Sequence, residues 1–106
     1  MSSRRATFRR TVTLRVDYTT AQGHVWLGIV RNLSLQGLYI AHVSRHVVPA
    51  VGPGDRLTVT FVLPTGRPCT LPAVVVHADP RGCGVELQPG TPHARTPLIR
   101  YWAALD

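Results

Sequence analysis

The chain has 106 residues, of which 44% are hydrophobic and 16% are charged. This composition indicates one globular domain with a core of its own and excludes an intrinsically disordered chain. Lys and Arg total 12 against five Asp and Glu, which gives a formal charge of +7. Such an excess predicts an anionic partner, and it leaves nucleic acid, a nucleotide and an acidic membrane surface open.

The apolar segments are too short for a membrane span, which takes roughly 20 consecutive apolar residues. No apolar stretch follows the N-terminal arginines, so we expect no secretory signal and a cytoplasmic protein. Cys69 and Cys83 have no other Cys or His at zinc-ligand spacing, and the histidines are dispersed, so no metal site is predicted. Reduced thiols suit this compartment, with a disulfide as the alternative because both cysteines fall in predicted neighbouring strands.

Arginine is concentrated near the N-terminus, where Arg4, Arg5, Arg9 and Arg10 fall within seven residues. A guanidinium group pairs with phosphate or with the O6/N7 edge of guanine, and it also stacks on bases. A solvated basic tail is the alternative that applies to most charge runs. We expect residues 1–10 to form a flexible basic arm ahead of the folded domain.

Alternating apolar residues predict three strands in the first half of the chain, over 11–18, 24–30 and 38–43. In the second of these strands one face carries three aliphatic side chains, namely Val25, Leu27 and Ile29. Trp26 alternates off that face, so we expect it to cover the helix or the barrel exterior, with stacking on a base as the alternative.

The second half predicts three further strands, over 56–63, 69–77 and 83–87, separated by Pro- and Gly-containing turns. After residue 90 the apolar period changes to that of a helix, at about 92–106. Thr96 or a neighbour is expected to cap this helix, with Pro97 in its first turn. Its apolar face comprises Leu98, Tyr101, Trp102 and Leu105. Residues 11–106 are therefore predicted to form a six-stranded antiparallel β-barrel with one C-terminal helix.

Two short motifs flank the first predicted strand pair. Arg5 and Arg9 form an RxxxR motif, and Asn32, Ser34 and Gly37 form an NxSxxG motif. We interpret the second motif as part of a structured turn in which the glycine takes a positive φ. In this order and on this strand pattern, the pair resembles the two signature motifs of the PilZ domain family.

The resemblance extends beyond the motifs and covers nearly the whole chain. Gly54–Leu57 looks like the glycine-led start of the family's fourth strand, and Cys83–Leu87 looks like its closing strand. The resemblance implies a PilZ-type barrel and a receptor for the bacterial second messenger cyclic di-GMP. It implies no cofactor, and it implies output through an unidentified downstream protein.

The resemblance also implies roles for the arginines. Arg5 and Arg9 would fold over the ligand and pair with guanine edges or stack on base faces. In this family an arginine at the position of Arg4 often accompanies binding of two mutually intercalated ligand molecules, so we expect that mode here. Arg10 is a further candidate for a phosphate contact, with a solvated role as the alternative.

The second motif would present Asn32 and Ser34 to a guanine or a phosphate, and Gly37 would allow close approach of the backbone. Many family members have Asp where this chain has Asn32. The amide lacks the charge that pairs with an arm arginine or with guanine N1 and N2. His77, at the end of the fifth predicted strand, is a secondary candidate for a ligand contact.

Three other functions are alternatives to a receptor. A small nucleic-acid-binding barrel fits the charge, but it needs exposed aromatic residues as stacking platforms, and most of the seven aromatics here alternate inward. A degenerate adaptor that binds no ligand would be expected to have lost a motif. An enzyme is disfavoured because no catalytic set and no Gly-rich phosphate loop is present.

Overall fold

Each strand has one apolar face to bury, and closing the sheet into a barrel buries these faces and leaves no unpaired edge. The computed structural model describes residues 10–44, 47 and 49–105, with the side chain of Arg10 excepted. The predicted arm therefore lies outside the described residues, apart from the backbone of Arg10.

The predicted fold class is confirmed. Six strands are followed by one helix. The elements are β1 (Arg10–Thr20), β2 (Val25–Leu33), β3 (Gly37–His42), β4 (Arg56–Val62), β5 (Pro68–Asp79), β6 (Gly82–Leu87) and α1 (Thr96–Ala104). The strands form a closed antiparallel barrel in the order β1-β2-β3-β6-β5-β4, so that β1 pairs with both β2 and β4.

The core fills the barrel interior and continues under α1. Tyr18 of β1 and Phe61 of β4 are fully buried near its middle. Leu98 and Trp102 of α1 are also buried, and the helix packs against β5. This confirms the predicted apolar face of the helix and fixes which wall of the barrel α1 covers.

The predicted orientation of β2 is wrong. Trp26 packs against the core, whereas Val25 and Leu27 are 65% and 44% exposed. Residues that face each other across antiparallel strands point to the same side of a sheet. Trp26 pairs with the buried Tyr18 of β1, so the register with β1 turns the indole inward.

The start of α1 and the cysteines also differ from expectation. The helix begins at Thr96 rather than near residue 92, and its N-cap is Arg95 without a side-chain cap, although Pro97 lies in the first turn as predicted. Both cysteines are buried and free. Cys69 is the second residue of β5 and Cys83 the second residue of β6, which places them at opposite ends of two antiparallel strands. Within the described residues, no helix is long and apolar enough to span a membrane.

Candidate ligand-binding site

A β-bulge near the end of β2 shapes the outer wall of the barrel. Val30 pairs with Ile40 and Leu33 with Leu38, so Arg31 and Asn32 both stand opposite the single residue between them on β3. Both side chains are exposed. Asn32 therefore lies within a strand rather than in the predicted turn, and the bulge turns two neighbouring polar groups outward.

The turn between β2 and β3 is built around Ser34, which is only 3% exposed. Its hydroxyl donates to the carbonyl of Gly37 over 2.7 Å. It also accepts from the backbone amides of Gly37, over 3.0 Å, and of Gln36, over 3.3 Å. A hydroxyl has one donor and two lone pairs, so this hydroxyl is fully used in shaping the turn.

Gly37 does not take the predicted positive φ. It begins β3 opposite Glu86 of β6, and a Cβ at this position would lie 2.8 Å from the carbonyl oxygen of Val85. Real Cβ atoms essentially never approach so closely. Glycine is required here because the two strands come together tightly, and not because the backbone is left-handed.

Tyr39 and His77 lie side by side on the outer wall, above Gly84. Both pair with Gly84 of the intervening strand β6, and their rings are stacked with centroids 6.0 Å apart and planes at 22°. A Cβ at Gly84 would collide with the histidine ring. The glycine thus provides the space in which the half-buried Tyr39 stacks on the exposed His77.

The hydroxyl of Tyr39 donates to both carboxylate oxygens of Asp79, over 2.9 and 3.0 Å. Asp79 also accepts from the backbone amides of Arg81, over 2.7 Å, and of Gly82, over 3.1 Å. The Arg81 amide and the tyrosine hydroxyl lower the pKa of this carboxyl group, so it is ionised at neutral pH. Desolvation and the bond to Asp79 raise the pKa of Tyr39 to about 12.

These groups line a groove of about 640 Å³ on the outer wall. Its polar residues are Arg31, Asn32, Tyr39, Asp79 and Arg81. The sequence interpretation found only the asparagine among them. Tyr39 could have been recognised because it alternates with the inward Leu38 and Ile40. The other groups come from a bulge and from a distant hairpin, for which local sequence gives no signal.

A second cavity, of about 520 Å³, adjoins the turn that contains Ser34 and Gly37. Glu86 and Arg95 also line it. The guanidinium group of Arg95 donates to the carbonyl of Leu35, in the middle of the turn. This bond ties the start of α1 to the second motif across 60 residues of sequence.

The predicted site residues are thus partly brought together. Asn32, Ser34 and Gly37 lie along one β2–β3 connection, beside two cavities of the outer wall. His77 is exposed on the same wall, next to Tyr39. The arginines predicted to contact the ligand, Arg4, Arg5 and Arg9, lie outside the described residues, as does the side chain of Arg10.

The architecture is that of a small antiparallel barrel domain with two cavities on its outer wall, each lined by both polar and apolar residues. The family model of the PilZ domain matches residues 3–104, and the chain belongs to this family. PilZ domains are receptor and adaptor domains, known as receptors for cyclic di-GMP.

Two solved structures illustrate the fold. The PilZ domain of CeSA from a cellulose-synthesizing bacterium is 22% identical with a TM-score of 0.68, and the match covers 87% of this chain and 91% of that one. The Bacillus subtilis inhibitor of motility, MotI/DgrA, is 19% identical with a TM-score of 0.71, and the match covers 91% of this chain and 47% of that one. This chain therefore spans about half of MotI/DgrA. No curated protein matches it.

Proposed function

We propose that this protein is a receptor that binds cyclic di-GMP between its N-terminal arginine arm and the outer wall of the barrel, and that it signals to a partner protein. The observation that carries the proposal is the pairing of β1 with β2. Arg10 lies opposite Leu33, and Thr11 lies opposite Asn32. The arm therefore joins the barrel directly beside the second motif.

Chain length limits how far the arm arginines can lie from that motif. Arg9 is bonded to Arg10, and Arg5 precedes Arg10 by five residues. Five residues span at most about 18 Å. The RxxxR motif is thus tethered within reach of the cavities that adjoin Asn32 and Ser34, and this tether supports a site built from both motifs.

Cyclic di-GMP matches the chemistry of these groups. It carries two phosphates and two guanines, and arginine serves both, by pairing with phosphate and by donating to guanine O6 and N7. The arm would supply Arg5 and Arg9, and Arg4 would favour two intercalated ligand molecules. Asn32 would present its amide from the bulge. Ser34 would act through the turn that it holds in shape, while Gly37 keeps β3 close to β6.

Signalling would follow from ordering the arm against the barrel. A ligand shifts a conformational equilibrium only as far as it binds one state better than the other. A ligand that contacts both the arm and the outer wall meets this condition, because its contacts exist together only when the arm is folded over. The rearranged surface would then engage the downstream protein.

Isothermal titration calorimetry of cyclic di-GMP into the purified chain tests the proposal. The Arg5→Ala/Arg9→Ala variant is expected to lose saturable binding. Its matched control is Arg67→Ala/Arg100→Ala, which removes the same charge at two exposed positions in the β4–β5 turn and on α1. Binding retained in the motif variant would contradict the proposed site. Absence of binding by the native chain would contradict the receptor function and favour an adaptor that binds no ligand.

A further inference from the structure

The cavity beside the Ser34 turn has a different composition from the groove beside Asn32, and the two share no lining residue. Its walls come from the β2–β3 turn, from β3, β5 and β6, and from the residue that precedes α1. The side chains that define it are Glu86, Arg95, Gln36 and Val76. It thus combines an acid, a base, an amide and an exposed aliphatic side chain within about 520 Å³.

Glu86 points into this cavity because of strand alternation. Its neighbours Val85 and Leu87 are buried, so its own side chain lies on the outer wall. Across the ladder it faces Gly37, which has no side chain. The space beside the carboxylate on the β3 side therefore stays open.

Val76 gives the cavity an apolar surface. Val75 pairs with Val85 and His77 pairs with Gly84, so Val76 is the extra residue of a bulge in β5. The bulge turns its side chain outward, where it is 52% exposed. A flat apolar or aromatic group has a packing partner at this position.

Arg95 is held in place by its bond to the carbonyl of Leu35. Its Nε atom is buried and has no hydrogen-bond partner among the described residues. A guanidinium group has five N–H donors, so donors remain after the bond to the turn. Among the described residues Arg15 forms an ion pair with Asp17, whereas Glu86 and Arg95 line the same cavity without forming an ion pair with each other.

An unpaired acid and an unpaired base in one cavity suit a planar group that carries donors on one edge and acceptors on another. Guanine is such a group. Its O6 and N7 accept from arginine, while its N2 amine and N1–H donate to a carboxylate. Adenine offers neither an N1–H nor an N2 amine. The arrangement therefore favours guanine over adenine.

We infer that this cavity binds one guanine of cyclic di-GMP, with Glu86 accepting from N1 and N2 and Arg95 donating to O6 and N7. Val76 packs against the face of the base. This inference rests on the proposed receptor function and extends it to two residues outside both signature motifs.

The test compares two ligands, cyclic di-GMP and its inosine analogue, whose bases lack the N2 amine but keep O6 and N7. Affinities are measured by titration calorimetry on the native chain, Glu86→Ala and Arg95→Met. Glu86→Ala is expected to weaken cyclic di-GMP binding about tenfold and to weaken binding of the inosine analogue by a smaller factor, because hypoxanthine keeps the N1–H but has no N2 amine to donate to Glu86. Arg95→Met is expected to weaken both ligands alike.

The change in base preference separates recognition from folding. A Glu86→Ala variant that loses affinity equally for both ligands, or for neither, would overturn the inference, and its thermal midpoint reports any loss of stability. If the native chain binds neither ligand, the receptor function fails together with the subsite. If the native chain binds cyclic di-GMP and the Glu86 variant keeps its preference for guanine, only the subsite fails.

Discussion

Thr11 lies opposite Asn32 in the β1–β2 ladder. This pairing sets the point on the barrel, beside Asn32, to which residues 1–9 are joined. Arg9 of the first motif precedes Asn32 of the second by 23 residues of sequence. The bulge next to it turns Arg31 and Asn32 outward together. The position of Asn32 relative to the start of β1 is thus set by backbone pairing.

The residue at position 32 is expected to limit affinity. Asn32→Asp should tighten cyclic di-GMP binding about fivefold, because hydrogen bonds to a charged group contribute about 1 kcal/mol more than neutral ones. Asn32→Ala should weaken binding. Titration calorimetry of both variants measures the effect. If Asn32→Asp binds cyclic di-GMP more weakly than the native chain does, the ligand does not present hydrogen-bond donors to position 32.

Gly37→Ala is expected to destabilise the barrel by about 1–3 kcal/mol, because its Cβ must push β3 away from the Val85 carbonyl. Gly52→Ala is the matched control. Nothing lies within 4 Å of a Cβ at Gly52, and its φ is not positive, so this change should be neutral or stabilise by up to about 1 kcal/mol. Urea unfolding of both variants measures the difference. Equal free energies of unfolding in the two variants would show that β3 and β6 can move apart at position 37 without loss of stability.

The predictable part of the structure is the part set by local alternation. The strict pattern of β1 gave its inward face, and the helical spacing of Leu98 and Trp102 gave the face of α1. β2 is apolar on both sides, so its sequence alone could not decide whether Trp26 or Leu27 points inward. The pairing of Trp26 with Tyr18 decides it.

The candidate site also contains some residues that local sequence predicts and others that it does not. Asn32, Ser34 and Gly37 could be found because they form a short motif. Arg95 could not, because its bond to Leu35 joins residues far apart in sequence. The role of Gly37 was also inaccessible, since a close approach by β6 leaves no trace in the sequence around position 37.

Acidification is expected to destabilise the protein through His42. The hydroxyl of Tyr18 lies 2.7 Å from His42 Nδ1, and burial lowers the pKa of this histidine below its usual 6.5. Below about pH 6.5, His42 therefore binds a proton more readily in the unfolded chain than in the folded chain. The free energy of unfolding is highest above about pH 6.5 and falls as the pH drops toward the folded pKa. His42→Gln should reduce this dependence.

Thermal midpoints at about pH 7.5 and about pH 5.5 measure the effect, since histidine titrates within this range. His24→Gln is the control, because His24 is exposed. The native chain and the control should lose more stability on acidification than His42→Gln. If acidification lowers the thermal midpoint equally in all three proteins, a group other than His42 causes the pH dependence. Asp79 does not interfere, since its lowered pKa places its titration below this window.

The salt dependence of binding distinguishes a dinucleotide receptor from a nucleic-acid-binding barrel, which the charge of +7 also permits. A single strand loses affinity with a log–log slope of about −0.7 for each phosphate contacted. Cyclic di-GMP has two phosphates, so its slope should be no steeper than about −1.5 per ligand bound, whereas a polymer that follows a basic surface makes more contacts. Titrations of cyclic di-GMP and of a guanine-rich oligonucleotide at several salt concentrations give both slopes. A tighter and more salt-dependent oligonucleotide complex, displaced poorly by cyclic di-GMP, would favour the nucleic-acid function, because the basic groups would then follow a polymer backbone.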